Sequence, residues 1–261
     1  IPTASSGNAN LNFDGSDFKI TSNSSSANLK LETNSTTRLT INSLGNVGIG
    51  TTSPGAKLDV SDATIYSIKL SNTAAYDSGI NNGIVFNGKY TSGGSITDMA
   101  SIRGGKENTT DGNFGGKLTF HTRQNSGVDT ERMHITSSAD ANKAVVAIGI
   151  TPSNWYNYTA LQVGTGSLQS PSSSTITLGC NYYVDSGVST TETYITNGSA
   201  TAYQQGSGTH AWYTAPSGTA GNGVTFTERM RINSEGNVTI GATTNNRRLR
   251  VVDEGQANGT Q

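Results

Sequence analysis

The chain has 261 residues, with 17 Lys and Arg against 18 Asp and Glu; that balance gives no basic field for tracking phosphates and argues against nucleic-acid binding. Only 32% of residues are hydrophobic and 13% charged, against about 45–50% and about 25% in ordinary soluble domains. The near-zero net charge, 10 Tyr and recurring Val, Ile and Thr argue against disorder and for an ordered β-rich chain too poor in apolar residues to bury a large core alone.

In chain order, the first predicted element is a hairpin at residues 38–51, Arg-Leu-Thr-Ile-Asn-Ser-Leu-Gly-Asn-Val-Gly-Ile-Gly-Thr. Leu39 and Ile41 alternate with Thr40, and Val47 and Ile49 alternate with Gly48, the period of a strand with one apolar face. Gly45-Asn46 lies between the runs and tolerates the positive φ of a tight hairpin. A turn at 52–55 leads to a third strand at 58–60. Glycine-marked turns follow at 92–94 and 104–105, then a lead-in strand at 118–122, Leu-Thr-Phe-His-Thr.

A second copy of the hairpin starts at Arg132, with Met133 and Ile135 on one strand and Val146 and Ile148 on the next. Ile135 and Ile148 are 13 apart where Ile41 and Ile49 are 8 apart, so its tip has gained five residues within 138–144. A turn at 151–154 and a strand at 161–163 complete this copy, and glycines at 164 and 166 mark another turn. A third copy has its lead-in strand at 211–214, Met230 and Ile232, Gly236-Asn237, then Val238 and Ile240, with a turn at 243–246 and a strand at 249–251.

The three arginines, Arg38, Arg132 and Arg229, recur at intervals of 94 and 97 residues, long for a solenoid coil and suited to a small module of several strands. The expected organisation is all-β with minimal helix: a short module at 1–60, a second at 61–163, and a third with a C-terminal tail at 164–261. Such narrow sheets leave edges and apolar faces that copies of the same chain would complete.

The run at 38–60, with Glu-Arg-Met-Arg-Ile at 228–232 and the lead-in strand at 118–122, resembles the repeat of tail fibres of tailed bacteriophages; related fibres occur in some bacteria. The resemblance covers about half of the chain. It implies an elongated homotrimeric fibre of hairpin or β-prism type, virion-borne and extracellular, partnered by itself, by other tail or fibre proteins and by a host cell-surface glycan or protein. The trimer core would then comprise Leu39, Ile41, Val47, Ile49, Met133, Ile135, Val146, Ile148, Met230, Ile232, Val238 and Ile240, with Gly48 or Ala147 where backbones pass closely. Such fibres often end in a self-cleaving chaperone of the endosialidase type, and none is recognised before Gln261; with Ile1 rather than Met at its start, the chain is expected to be part of a longer product.

The expected role is host attachment without catalysis. A bacterial surface or predation adhesin, or a tailspike-like polysaccharide hydrolase, are the alternatives. Paired carboxylates would serve glycoside hydrolysis, and Glu131, Glu228, Asp185 and Glu192 are the acids nearest aromatic residues. Glu131 and Glu228 occupy equivalent repeat positions just before an arginine, which favours a structural ion pair or a turn contact. Glycan recognition would use Trp155, Tyr156, Tyr158, Tyr182 and Tyr183, which break the repeat pattern and carry ring faces plus polar handles; Trp212-Tyr213 aligns with Phe120-His121 and reads as core. His121, His134 and His210 lack metal-ligand spacing, although His121 or His134 on a threefold axis would give a three-His site. No cofactor or metal is expected. Cys180, the only cysteine, excludes an intrachain disulfide. The cluster at 247–250 reads as a solvated edge, the sequons at Asn34, Asn108 and Asn157 as compositional, and no apolar run reaches the about 18 residues that span a bilayer.

Overall fold

The computed structural model describes residues 9–15, 17–22, 26–64, 67–72, 81–112, 114–125, 127–137, 143–155, 158–185 and 192–241. The described residues are all-β and contain no helix. They fall into two compact units, Ile1–Ser71 and Asn72–Gln261.

In the first unit, β1 (Ala9–Asp14) and β2 (Asp17–Ser22) form a hairpin. A four-stranded sheet follows: β3 (Leu29–Thr33), β4 (Thr36–Ile41), β5 (Val47–Ile49) and β6 (Leu58–Val60), in that order. The second unit continues with β7 (Asn81–Lys89), β8 (Ile96–Lys106), β9 (Gly116–Arg123), β10 (Asp129–Ser137), β11 (Ala144–Ile148), β12 (Thr159–Val163), β13 (Gly166–Ser172) and β14 (Thr175–Cys180). After the short pair β15 (Tyr182–Val184) and β16 (Glu192–Tyr194) come β17 (Gly198–Gly206), β18 (Thr209–Gly218), β19 (Thr227–Ile232) and β20 (Val238–Ile240). Twelve of these strands form one sheet in chain order, with β15–β16 standing apart. The boundary expected at 163/164 is therefore bridged: Val163 pairs with Gly166, and Gly164-Thr165 is the two-residue turn of a hairpin that fuses the second and third modules.

The repeated hairpin forms as its sequence demands. Asn42 Oδ1 accepts the backbone N–H groups of Leu44 and Asn46 at 3.0 and 2.9 Å, and Asn233 Oδ1 those of Glu235 and Asn237 at 3.1 and 2.9 Å. These Asx turns place Gly45 and Gly236 at φ 71° and 81°, where a side chain is costly. In all three copies the repeat arginine is a β-bulge. Thr37 and Leu39, Glu131 and Met133, and Glu228 and Met230 pair with successive residues of the neighbouring strand, and Arg38, Arg132 and Arg229 are left over. Each arginine carbonyl accepts from the glycine ending the next strand, Gly50, Gly149 or Gly241, at 3.0, 2.9 and 2.9 Å. Each Nε donates to a threonine on the preceding strand, Thr33, Thr122 or Thr214, at 2.9, 3.0 and 2.8 Å.

In the first two copies the strand after the hairpin pairs parallel to the one before it, β6 on β5 and β12 on β11. The connecting segments cross one face of the sheet and bury it. A Cβ on Gly48 would lie 2.6 Å from the Thr51 carbonyl oxygen, so the close backbone approach expected at a symmetry axis is made inside the chain. The longer crossover from β11 to β12 brings Trp155 over Val145 and Ala160, and all three are buried. A second core forms where β15–β16 lies on β17 and β18, joining Tyr182 and Tyr194 to Ala200, Ala202, Ala215 and Val224.

Candidate functional site

Cross-strand partners share a face, so the registers can be followed from strand to strand. One row runs Leu118, Ile135, Val146, Leu161, Leu168, Leu178, Tyr203, Trp212, Met230 and Ile240 over ten consecutive strands of the sheet. At about 4.8 Å per strand that is a ladder roughly 43 Å long. A second row beside it runs Ile84, Ile102, Phe120, Met133, Ile148 and Val163. In the first unit the same arrangement appears as Leu29, Ile41, Val47 and Leu58, with Leu31, Leu39, Ile49 and Val60 alongside.

These faces are open in the single chain. Leu178 is 59% exposed and Ile240 67%, and Leu31, Ile49, Leu58, Leu118, Ile148, Leu161, Val163 and Leu168 are exposed too. Leu39, Ile41, Val47, Met133, Ile135, Val146, Met230, Ile232 and Val238 are half-buried, and none of the twelve residues expected in an interchain core is fully buried. The opposite face is packed, although it is built from small and polar residues. Thr40, Ala147 and Gln162 are 0% exposed, and Thr119, His134, Ser167, Gln169 and Thr177 are buried. Gln162 is satisfied at both ends of its amide: its Oε1 accepts from Trp155 Nε1 at 3.1 Å and Ser153 N at 2.9 Å. Its Nε2 donates to Gly164 O and Ser153 Oγ at 3.1 and 3.2 Å.

The repeat acids sit on this packed face. Glu228 takes two hydrogen bonds from Arg231, at 2.9 and 2.5 Å, and Arg231 holds its carboxyl below the ordinary range. Glu131 Oε1 is 2.9 Å from His134 Nδ1. Each repeat acid thus meets the residue three further along and not the adjoining arginine, Glu228 as an ion pair with Arg231 and Glu131 as a hydrogen bond with His134. In a regular strand those two side chains would point to opposite faces; the bulge at Arg132 or Arg229 restores the parity. On the neighbouring strands, Arg103 pairs with Asp129 and His121 Nε2 meets Thr119 Oγ1 at 2.9 Å. Burial, then the nearby Arg103, hold the His121 imidazole below its ordinary value.

The aromatic candidates need correction. Trp155 is 1% exposed and Tyr182 4%, so both are core residues without a free face for a sugar; the change from the first repeat at 155 is a crossover plug. Tyr158 and Tyr183 are half-buried and pack on Trp155 at ring-centroid distances of 6.5 and 6.2 Å. Tyr156 lies outside the described residues, as do Asn157, most of the 138–144 loop, the third-copy turn at 243–246, the strand at 249–251 and the basic cluster at 247–250. Trp212, expected in the core, stands half-buried on the open face against Tyr203, 5.0 Å away. Its partner Tyr213 turns to the packed side, as alignment with Phe120-His121 implies. His121 and His134 also lie on the packed face, opposite the apolar ladder, so an axis facing the ladder would not bring them together. Among the described residues no group of three or more His, Cys, Asp or Glu is placed to hold a metal ion. Sequence reasoning missed Leu161, Leu168, Leu178 and Tyr203 as members of the open face, although the alternation Ile176, Leu178, Cys180 carried the signal.

No family model matches the chain, and no curated protein matches it.

Proposed function

We propose that this chain is a structural and receptor-binding segment of a homotrimeric fibre by which a tailed-phage particle attaches to its host. The observation that carries the reading is the open ladder of ten large side chains facing away from a surface the chain has already packed for itself. Soluble monomers rarely expose apolar patches beyond a few hundred Å², and a repetitive flat face is suited to an identical face on another copy. Three such sheets closed around an axis would bury Leu161, Leu168 and Leu178 together. The bulge and its arginine recur in all three copies and the crossover in the first two, as a shaft of stacked modules requires. The role is non-enzymatic: Glu131 and Glu228, the acids repeated between modules, are bound to His134 and Arg231.

Sedimentation equilibrium tests this directly. The expected mass is three times the 27.1 kDa of one chain, falling to one chain on Leu161→Asp, with strand content by circular dichroism retained. A stable wild-type monomer at micromolar concentration overturns the reading. Cys180 is exposed on the open face and serves as a reporter: a maleimide should label it slowly in the wild type and quickly in the Leu161→Asp variant.

A further inference from the structure

Among the described residues, the covering of the packed side of the large sheet leaves a cleft. Between β15–β16 and the sheet lies a cleft of about 220 Å³. Thr177, Ala202 and Gln204 form its floor, Tyr182, Tyr213 and Phe226 its walls, and Glu192 its rim. Phe226 stands edge-on to both tyrosines, at 4.8 Å and 74° to Tyr182 and 6.3 Å and 68° to Tyr213. Tyr182 is buried and anchored by Gln169 Nε2 at 2.7 Å; Tyr213 and Phe226 line the cleft and are half-buried.

The polar groups are few and mostly unspent. The half-buried Glu192 carboxylate has no hydrogen-bond or ion-pair partner among the described residues, and its charge reaches Tyr158 and Tyr182, whose hydroxyls burial already pushes up. Gln204 Nε2 meets Thr177 Oγ1 only at 3.5 Å, the outer limit of a hydrogen bond. The cleft therefore offers a charged acceptor, an amide and a hydroxyl beside two ring faces.

That combination selects a ligand chemistry. Anionic ligands are disfavoured, because Arg231, the cation beside Tyr213, is committed to Glu228. Purely apolar ligands would desolvate Glu192 without compensation. The volume falls below the roughly 300–1,000 Å³ of drug-sized pockets and suits a single ring. A neutral pyranose meets every condition, with C–H surface for Tyr213 and Phe226 and hydroxyl donors for Glu192.

We propose that this cleft binds one neutral pyranose residue of a surface glycan, Glu192 accepting from its hydroxyls while Gln204 and Thr177 complete the polar contacts. The proposal rests on the reading of the chain as an attachment fibre, but its site lies on the face opposite the self-association ladder.

Saturation-transfer NMR on the full chain with neutral methyl glycosides (glucoside, galactoside, mannoside and N-acetylglucosaminide) tests it. At least one should receive saturation, with binding at least tenfold weaker in Glu192→Gln, the value of about 1.4 kcal/mol, and weakened in Gln204→Ala. Unfolding midpoints identify a variant that fails to fold, and the other variant then decides. Transfer to none of the four, or transfer unchanged in both folded variants, overturns the site. Glu192-dependent transfer to tetramethylammonium in place of the glycosides overturns it in favour of a cation site. Mass measured on the same sample separates the two readings: a trimer that binds no glycoside loses only this cleft, whereas a monomer that binds one loses only the fibre.

Discussion

The two faces of the twelve-stranded sheet invert the usual relation between polarity and burial. One face carries Leu, Ile, Val, Met and Trp and is open; the other carries Thr, Ser, Gln, Ala and His and is packed. Side-chain size explains which face the chain covers for itself. The parallel crossovers run close to the sheet, and small residues such as Gly48 and Ala147 leave room beneath them for Pro54 and, with Val145 and Gln162, for Trp155. Large apolar residues there would hold the crossover off and break the parallel pairing of β5 with β6 or β11 with β12. Polar groups on this face are satisfied in part, Gln162 by Ser153, Trp155 and Gly164, while Thr40 Oγ1, Ser167 Oγ and Gln169 Oε1 are buried without a hydrogen-bond partner among the described residues. Apolarity decides the other face, which no described residue of the same chain covers.

The largest effect on the packed face should come from Trp155→Ala, which empties the crossover plug and strands Gln162; about 3–5 kcal/mol is expected, read by urea unfolding. A smaller value, near 1 kcal/mol, would mean the crossover collapses onto Ala147. Leu178→Ala sharpens the comparison from the open face. Truncating a side chain that is 59% exposed in the single chain should cost within about 0.5 kcal/mol if the face stays open, and about 2–5 kcal/mol if sister chains bury it. Repeating that measurement over a hundredfold range of protein concentration separates the two, since only the assembled case depends on concentration. Ala147→Leu overpacks the crossover and should cost about 1–3 kcal/mol without changing the oligomeric mass.

The alternating pattern was fully legible where it mattered for strands: Leu39 and Ile41, Met133 and Ile135, and Met230 and Ile232 do share faces, and both Gly-Asn tips are hairpin turns. Period-two alternation identifies a face but carries no information about what lies over it. For that reason Trp155 read as a surface feature; the crossover that buries it is set by parallel pairing between strands, a non-local fact. The fusion of the second and third modules was hidden in Gly164-Thr165, which reads equally as a linker or as a hairpin turn. The bulge was legible in retrospect. Glu-x-x-His at 131–134 and Glu-x-x-Arg at 228–231 place a carboxylate and a nitrogen donor at a spacing that puts them on opposite faces of a regular strand, and their recurrence at equivalent positions points to a shared irregularity.

That bulge sets up a pH-dependent contrast. Glu228 is held below its ordinary pKa by the hydrogen bonds from Arg231, so the unfolded chain binds more protons there than the folded one as pH falls. Its contribution is present above the ordinary carboxyl value of 4.5 and lost as acid protonates it in the folded state. With the Arg231 side chain 34% exposed, solvent screening limits the pair to about 1 kcal/mol. Glu228→Gln should destabilise the chain by that amount at pH 7, and the difference from wild type should shrink as the pH falls below 4.5 and vanish only once Glu228 is protonated in the folded chain, in acid titrations of the unfolding midpoint. A constant difference across that range would place the effect in packing against Tyr213.

The smallest effect belongs to the feature most faithfully repeated. Arg38, Arg132 and Arg229 are exposed and each donates one Nε hydrogen bond to a threonine hydroxyl, a contact solvated on its outer side. Replacing Arg132 with Lys removes the fixed Nε donor but keeps charge and stem, and should cost no more than about 0.5 kcal/mol. The bulge itself is held by backbone, through the hydrogen bond from Gly149 N to the Arg132 carbonyl at 2.9 Å. Gly149 sits at φ 72°, so Gly149→Ala should cost more than Arg132→Lys, about 1 kcal/mol from the left-handed backbone alone. The reverse ranking in thermal unfolding would mean that the arginine side chain, and not the glycine that closes the hairpin, keeps Glu131 and His134 on the same face.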